Sequence, residues 1–265
     1  MTDLLDADVA VVTGGASGNG RQICLTLAEH GADVVVVDLR PEPREGGTPT
    51  HEVVRSEHGQ HSTFVECDVS NVSEVRDAVD AADEFGGVSV MVNNAGITHS
   101  DDFLETTEEE YDRMMDVNVK GVFFGAQAAA RKMVADGRSG AIINISSISG
   151  LVARGDGVRY CTSKGAVRLM TYALAGSLGP RGVRVNAVHP GLVETTMTRE
   201  DLDVIGTETA DSYRRDTPLG QICQPQDVAN ATLFLASPLA SFVNGESLTV
   251  DGGVTNTRGG WDPES

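Results

Sequence analysis

The sequence predicts an α/β fold: a single domain on a doubly wound parallel sheet of about seven strands with helices on both faces. Three observations predict it. Short apolar, β-branched runs fall at residues 8–13, 33–38, 62–68, 88–93, 141–146, 183–188 and 247–250. Helical patterns stand between them at 20–30, 72–85, 108–136, 160–178 and 226–236. The runs are continuously apolar, as in Val34-Val35-Val36-Val37, which fits strands covered on both faces by crossover helices. Such strand–helix repetition implies right-handed crossovers and puts ligand chemistry just beyond the carboxyl ends of the strands.

In chain order, the first strand runs into a glycine-rich turn and the first helix. The second ends at Asp38, and the Pro- and Gly-rich stretch 41–50 reads as a surface excursion. Ser70 ahead of Val72 and Thr107 ahead of Glu108, Glu109 and Glu110 are helix-start signals, and Gln224-Pro225 opens the last helix. Segment 190–218 is long, polar and acidic with little strand signal, the pattern of a functional lid or a disordered loop. The domain spans 1–256, with a substrate loop at about 190–217. Residues 257–265, with the only tryptophan, Trp261, form a tail.

Composition excludes whole classes of function. The 265 residues are 40% hydrophobic, enough for one full core. No apolar run approaches the roughly 20 residues of a membrane span. The opening residues Met1 to Asp6 lack a basic region and an apolar stretch, which predicts a cytoplasmic protein. A net charge of −19 argues against nucleic acid as a partner. Lysine occurs only at 120, 132 and 164. An acidic, lysine-poor surface resembles that of halophilic proteins, whose charges work in screened, salt-rich cytoplasm. Cys24, Cys67, Cys161 and Cys223 are far apart and predict reduced thiols. His51, His58 and His61 read as a solvated face, so no metal site is expected.

The first strand ends in Thr13-Gly14-Gly15-Ala16-Ser17-Gly18-Asn19-Gly20. Glycines between a strand and a helix let the backbone approach a pyrophosphate lying at the helix N-terminus. A nucleotide-hydrolase loop would need Lys-Ser/Thr where Arg21-Gln22 stands, and the common dinucleotide fingerprint would need glycine at Ile23. Asp38, about 20 residues on, suits the ribose hydroxyls of an adenosine and repels a 2′-phosphate, so NAD is favoured over NADP. Arg40, two residues past Asp38, is a cation within reach of such a phosphate, with Asp38 standing against it. Tyr160 and Lys164 lie four apart, on one helix face. A free phenol, with a pKa of about 10, is a poor proton exchanger near neutrality, and an adjacent ammonium lowers it.

Together these residues resemble the short-chain dehydrogenases/reductases of the classical type, across nearly the whole chain from Asp6 to Gly253. The turn at 13–20 and the Tyr160/Lys164 pair match the family's motifs, and the resemblance implies a Rossmann domain and a catalytic set. Ser147, 13 residues before the tyrosine, matches its catalytic serine, and Asn118 matches its helix asparagine. The resemblance also implies cofactor contacts at Gly14, Ser17, Gly18, Asn19, Gly20, Asp38, Leu39, Asp68, Val69, Asn94, Ala95 and Gly96. Further contacts are expected at Tyr160, Lys164, Pro190, Gly191, Val193 and Thr195. Val250–Gly253 matches the family's closing motif. Asn19 departs from the aliphatic residue usual at its position.

The implied reaction is hydride transfer between a carbinol carbon and the nicotinamide. Tyr160 is then the general base or acid, Lys164 tunes it and holds the ribose, and Ser147 donates to the substrate oxygen. Asn118 anchors a water leading from Lys164 to solvent. Arg154, Asp156, Arg159, His99 and His189 put polar groups near the implied pocket, which favours a sugar, polyol or hydroxy acid as the small-molecule substrate. The alternatives are a 3-oxoacyl-acyl-carrier-protein reductase, a small apolar secondary alcohol as substrate, and a non-catalytic dinucleotide sensor. The resemblance also implies a homotetramer or homodimer, packed through the helices at 118–136 and 160–178.

Overall fold

The structure is a computed structural model that describes residues 4–100 and 102–257; most of the tail, including Trp261, lies outside the described residues. The strands are β1 (Val9–Thr13), β2 (Asp33–Asp38), β3 (Ser62–Glu66), β4 (Val90–Asn93), β5 (Gly140–Ile145), β6 (Val183–Pro190) and β7 (Ser247–Val250). All pair in parallel, in the order β3-β2-β1-β4-β5-β6-β7. The sheet is thus the seven-stranded doubly wound sheet expected. The order reverses between β1 and β4, so the chain leaves these two strand ends in opposite directions and opens a cleft there.

Valine doublets explain the double-sided burial. Ala10, Val12, Val34 and Val36 face a core shared with Ile23 and Leu27 of α1 (Gly18–Glu29). Val9, Val11, Val35 and Val37 face the opposite core, with α3 (Val72–Asp80) and α5 (Gly121–Ala135). Each fully buried valine contributes about 1.5–3 kcal/mol relative to exposure, so the strand sequence specifies burial on both sides. Between these elements lie the short α2 (Thr50–Val53) and α4 (Glu108–Met115). After β5 come α6 (Val158–Leu178), α7 (Glu208–Asp216) and α8 (Pro225–Ala236). On α8, Val228 and Leu233 close the core over α1.

Four expectations are adjusted. The helix expected over 108–136 is two helices joined by a π-helical turn, Asp116–Lys120. The start of α3 is capped by Asn71, whose side chain accepts the Ser73 N–H at 3.0 Å, not by Ser70. Segment 190–218 is ordered by the π-helical turn Met197–Asp201 and by α7. On the first of the two helices expected to pack against a second subunit, Val122, Ala126, Ala130 and Met133 are buried within the chain itself, while Phe123 is exposed. Thr107 does cap α4, in a reciprocal capping box with Glu110. No helix among the described residues is long and apolar enough to cross a membrane.

Candidate active site

The glycine turn is dictated by close backbone approach. Gly14 has φ +65°, and a Cβ there would sit 2.8 Å from Asn94 Nδ2. A Cβ on Gly20 would overlap the Gly14 carbonyl oxygen outright. Asn94 clamps the turn from β4: its Nδ2 donates to the Thr13 and Gly14 carbonyls at 2.9 and 3.2 Å. The Thr13 hydroxyl in turn accepts the N–H groups of Asn94 and Ala95 at 3.0 and 3.1 Å. The side chains of the Thr-Gly turn and the Asn-Ala-Gly segment therefore lock the end of β1 to the end of β4.

Asp38 sits at the end of β2 and accepts the N–H groups of Ala16 at 3.0 Å and Leu39 at 2.8 Å. Each carboxylate oxygen keeps a lone pair for a further donor. The excursion at 41–50 is no idle surface loop. Glu45 accepts the Gly18 N–H at 2.9 Å, placing a carboxylate at the positive start of α1, and the Arg44 N–H donates to the Ser17 hydroxyl at 2.8 Å. The Arg44 guanidinium pairs with Asp201 at 2.7 Å and Glu200 at 3.1 Å, so this loop reaches the π-helical turn Met197–Asp201. Asn19 leaves a buried carboxamide oxygen without a hydrogen-bond partner among the described residues. Thr195 comes opposite the turn, its Cγ2 3.5 Å from where a Gly18 Cβ would stand.

Other expected contacts fall around the same cleft. Asp68, after β3, is held by the Ser70 N–H and hydroxyl and by Arg113 at 3.3 Å, which together keep its carboxyl below the usual range despite partial burial. Val69 is buried against Gly121 of α5. Pro190 ends β6. Gly191 is packed so closely against Tyr213 of α7 and Asp251 that a side chain would not fit. The Leu192 N–H bonds the Tyr213 hydroxyl at 3.0 Å, which ties the lid helix to the strand end. The Val193 carbonyl accepts the Thr198 hydroxyl at 2.7 Å.

The four residues assigned to catalysis converge at the ends of β4 and β5. Ser147, just past β5, accepts the Ser149 N–H at 3.1 Å, and its side chain is close enough to the Tyr160 phenol to favour the ionised form. Tyr160 is on the first turn of α6. Burial pushes its hydroxyl above the ordinary range, with Ser147 and Arg154 pulling the other way. Lys164 stands one turn along, its Nζ 5.7 Å from the Tyr160 ring centroid, and donates to the Ile145 carbonyl at 3.0 Å. Desolvation pushes this ammonium down to about 8. The net shift of the phenol is upward because burial outweighs the groups that favour its ionised form. The ammonium bonds a carbonyl, and burial sets the direction for both groups.

Asn118 lies in the π-helical turn, fully buried. Its Oδ1 accepts the Ile97 N–H at 2.8 Å, and its Nδ2 donates to the Ile97 carbonyl at 2.9 Å and to Ser163 of α6 at 3.1 Å. The wider turn makes room for this three-way junction, which fixes the segment after Gly96 beside Lys164.

The residues expected to make the pocket polar divide. His99 and Arg159 line a cavity of about 360 Å³ with Glu109, Glu110, Arg113 and Met114, and none of the four assigned catalytic residues lines it. Arg159 is buried, with Glu110 at 3.6 Å. Arg154 and Asp156 pair at 3.7 Å near the start of α6. His189 is fully buried, between the Ser147 carbonyl and Ser247. A histidine next to Pro190-Gly191 gave no signal that it would be internal, except that it ends a continuous buried strand.

The comparisons with known proteins agree with this geometry. The family model described as enoyl-(acyl carrier protein) reductase matches residues 14–255. The chain is 42% identical to a cyclopentanol dehydrogenase of Comamonas testosteroni, covering 93% of this chain and 96% of that one. It is 36% identical to an L-rhamnose-1-dehydrogenase of Scheffersomyces stipitis, covering 96% and 98%. Among solved structures, a gluconate 5-dehydrogenase of Burkholderia cenocepacia in complex with NADP and tartrate superposes with a TM-score of 0.88 at 34% identity, covering 97% and 98%. With the match spanning both the glycine turn and the Ser147, Tyr160 and Lys164 cluster, the chain belongs to the short-chain dehydrogenase/reductase family of oxidoreductases.

Proposed function

We propose that this chain is an NAD-dependent dehydrogenase that interconverts a secondary alcohol and its ketone, with a sugar, polyol or hydroxy acid as substrate. The observation that carries the reading is the convergence of Ser147, Tyr160, Lys164 and Asn118 where β4 and β5 end. The cleft fits a dinucleotide on three features: a glycine turn with no room for side chains, an Asp38 carboxylate with lone pairs to spare, and the unpartnered Asn19 oxygen. Gly14, Ser17, Gly18 and Gly20 would hold the pyrophosphate side. Asp38, Leu39, Asp68 and Val69 would hold the adenosine, and Val193 and Thr195 the nicotinamide side. Bound there, the nicotinamide accepts or supplies the hydride.

The protein's part is protonic and positional. Tyr160 takes the alcohol proton during oxidation and returns it during reduction. Ser147 turns its hydroxyl proton from the phenol to the substrate oxygen, because the Ser149 N–H occupies only a lone pair. Lys164 holds the ribose and, charged, favours the phenolate. Asn118 keeps the Ile97 segment beside Lys164 and anchors the water that relays its proton to solvent. NAD is favoured because Asp38 and Glu45 put two carboxylates beside the turn, while Arg44 is turned away onto Asp201 and Glu200.

The sugar-type substrate is supported by the rhamnose and gluconate dehydrogenases among the relatives. A small cyclic alcohol is the second reading, favoured by the 42% identity to a cyclopentanol dehydrogenase. An acyl-carrier substrate fits poorly with a net charge of −19, since such carriers are acidic. Nicotinamide absorbance with a panel of sugars, polyols, hydroxy acids and cyclopentanol separates these readings, and NAD binding with no turnover on any of them would point to a sensor. Tyr160→Phe is expected to lower turnover by roughly 10²–10⁴-fold with the NAD dissociation constant unchanged. Wild-type turnover in that variant would overturn the assignment.

A further inference from the structure

His189 and its neighbours form an unbroken line of hydrogen bonds from α6 to the backbone of Ser147. Arg168 Nε lies 2.9 Å from the Tyr172 hydroxyl, and that hydroxyl lies 2.7 Å from Ser247 Oγ on β7. Ser247 Oγ lies 3.0 Å from His189 Nε2, and His189 Nδ1 lies 2.9 Å from the Ser147 carbonyl oxygen. The chemistry of the two ends orients the whole line. Arginine can only donate and a carbonyl can only accept. His189 Nδ1 therefore carries its proton. In the neutral ring Nε2 accepts, so Ser247 donates to it and accepts from Tyr172. The imidazole is wholly buried, and burial keeps it neutral. Every hydrogen then points the same way, from Arg168 toward Ser147, an arrangement in which neighbouring bonds polarise one another.

The line joins two parts of the site that must keep register. Arg168 and Tyr172 are on the helix that carries Tyr160 and Lys164, whereas Ser147 follows β5. On the near side the same helix and strand are already linked: Lys164 Nζ reaches the Ile145 carbonyl, and Ser146 Oγ reaches the Lys164 carbonyl, both at 3.0 Å. On the far side the Ser147 carbonyl takes the Gly150 N–H at 2.9 Å and the His189 N–H. The peptide that sets where Ser147 Oγ points is thus held from both flanks.

We infer that His189, through Ser247 and Tyr172, is a positioning residue that fixes the Ser147 hydroxyl relative to Tyr160 for the reaction. The inference rests on the dehydrogenase reading above and assigns the device that aligns its serine with its tyrosine. His189 touches neither the phenol nor the substrate oxygen and exchanges no proton with them.

The two amide side chains nearest in shape to histidine separate positioning from bulk packing. Asparagine places a donor where Nδ1 stands, whereas glutamine places one where Nε2 stands. His189→Asn should keep turnover within about threefold of wild type, while His189→Gln and His189→Leu should lose roughly 10²-fold in kcat with little change in KM, the scale set by small misplacements of a reacting group. Because a leucine in this buried position can also compromise folding, Tyr172→Phe serves as a milder break at the partly exposed middle of the line, with an expected loss of about threefold to tenfold. The decisive readout is coupling. In a Ser147→Ala background, His189→Gln and Tyr172→Phe should cost nothing further, because the group they position is gone. Additive losses in that background, or equal activity of the asparagine and glutamine variants, would overturn the inference. Tyr160→Phe, run alongside, reports on the dehydrogenase reading itself: if it keeps wild-type turnover that reading fails, and if it alone loses turnover only the positioning role fails.

Discussion

At the glycine turn, partly exposed carboxylates take backbone amides, Gly18 on Glu45 and Ala16 on Asp38, and a guanidinium, Arg44 on Glu200 and Asp201. Around Ser147 the contacts run between buried neutral groups and a buried lysine: His189, Asn118 and Lys164 are each under 5% exposed. The first wall is built for exchange, since surface ion pairs are worth about 0–1 kcal/mol and can be remade around a ligand. The second is built for constancy, since an unmet buried donor or acceptor costs about 1–3 kcal/mol. A dinucleotide has to enter and leave past the first wall, while the second has to present the same geometry at every turnover.

The largest expected effect tests the one rigid component of the first wall. Gly20→Ala would drive a methyl group into the Gly14 carbonyl and the Asn94 side chain. Both are backbone or clamp atoms with nowhere to go, so loss of NAD binding and a drop in thermal midpoint are expected together. Isothermal titration with NAD, paired with a melting curve, checks this. Normal binding would mean that the turn is softer than its packing implies.

Next in size is the pH dependence of the second wall. Burial puts the folded-state Lys164 near 8, below the ordinary 10.5. Between these values the unfolded chain holds a proton that the folded chain has lost, so stability should rise with pH by about 1.4 kcal/mol per unit. The Tyr160 phenol is pushed the other way, above 10, so its contribution falls once the unfolded phenol ionises. Burial also pushes up the Cys24, Cys67 and Cys223 thiols, which pull stability down above about pH 9, so the Lys164 gain is the difference between wild type and a variant lacking the ammonium over pH 8 to 10. Denaturant midpoints at pH 8, 9 and 10 for wild type and Lys164→Met measure it. A variant as steep as wild type would remove Lys164 as the source.

The same contrast explains what was legible in the sequence. The central strands could be read because continuous apolar runs such as Val34–Val37 have few alternatives to a doubly covered sheet, whereas β3 and β7, half-buried at the edges, were read from short β-branched runs. The turn could be read because glycine at 14, 18 and 20 has a steric purpose. The Tyr160/Lys164 spacing gave one helix face, and Ser147 and Asn118 came only through resemblance, since no local pattern marks them. The π-helical turn at 116–120 was invisible: Asn118 imposes it by bonding Ile97 across the fold, and 3.6-residue periodicity carries no sign of that. Helix α7 was missed because Glu208, Asp211, Arg214 and Arg215 give it almost no apolar stripe; it is held through Ala210 and Tyr213. His189, which precedes Pro190-Gly191, was expected to reach the substrate pocket. Its true partners, Ser147 and Ser247, are 42 and 58 residues away.

The smallest expected effect concerns the ion pairs of the first wall. Arg44→Ala should change thermal stability by less than about 1 kcal/mol, as expected for an exposed salt bridge. Its effect should appear in kinetics instead, because Arg44 joins the excursion beside the turn to the lid turn carrying Glu200 and Asp201. NADH should dissociate a few-fold faster from the variant at low salt, and the two proteins should converge at high salt, where the Debye length falls to about 3 Å at 1 M. Salt should act on the whole chain with the opposite sign: if the −19 charge reflects a salt-adapted surface, the melting temperatures of both proteins should rise together as the same salt screens their self-repulsion. Stopped-flow release and melting curves across one salt series separate the two. A dissociation rate unaffected by both Arg44→Ala and salt would show that the latch plays no part in cofactor exchange, whatever the surface charge does for the fold.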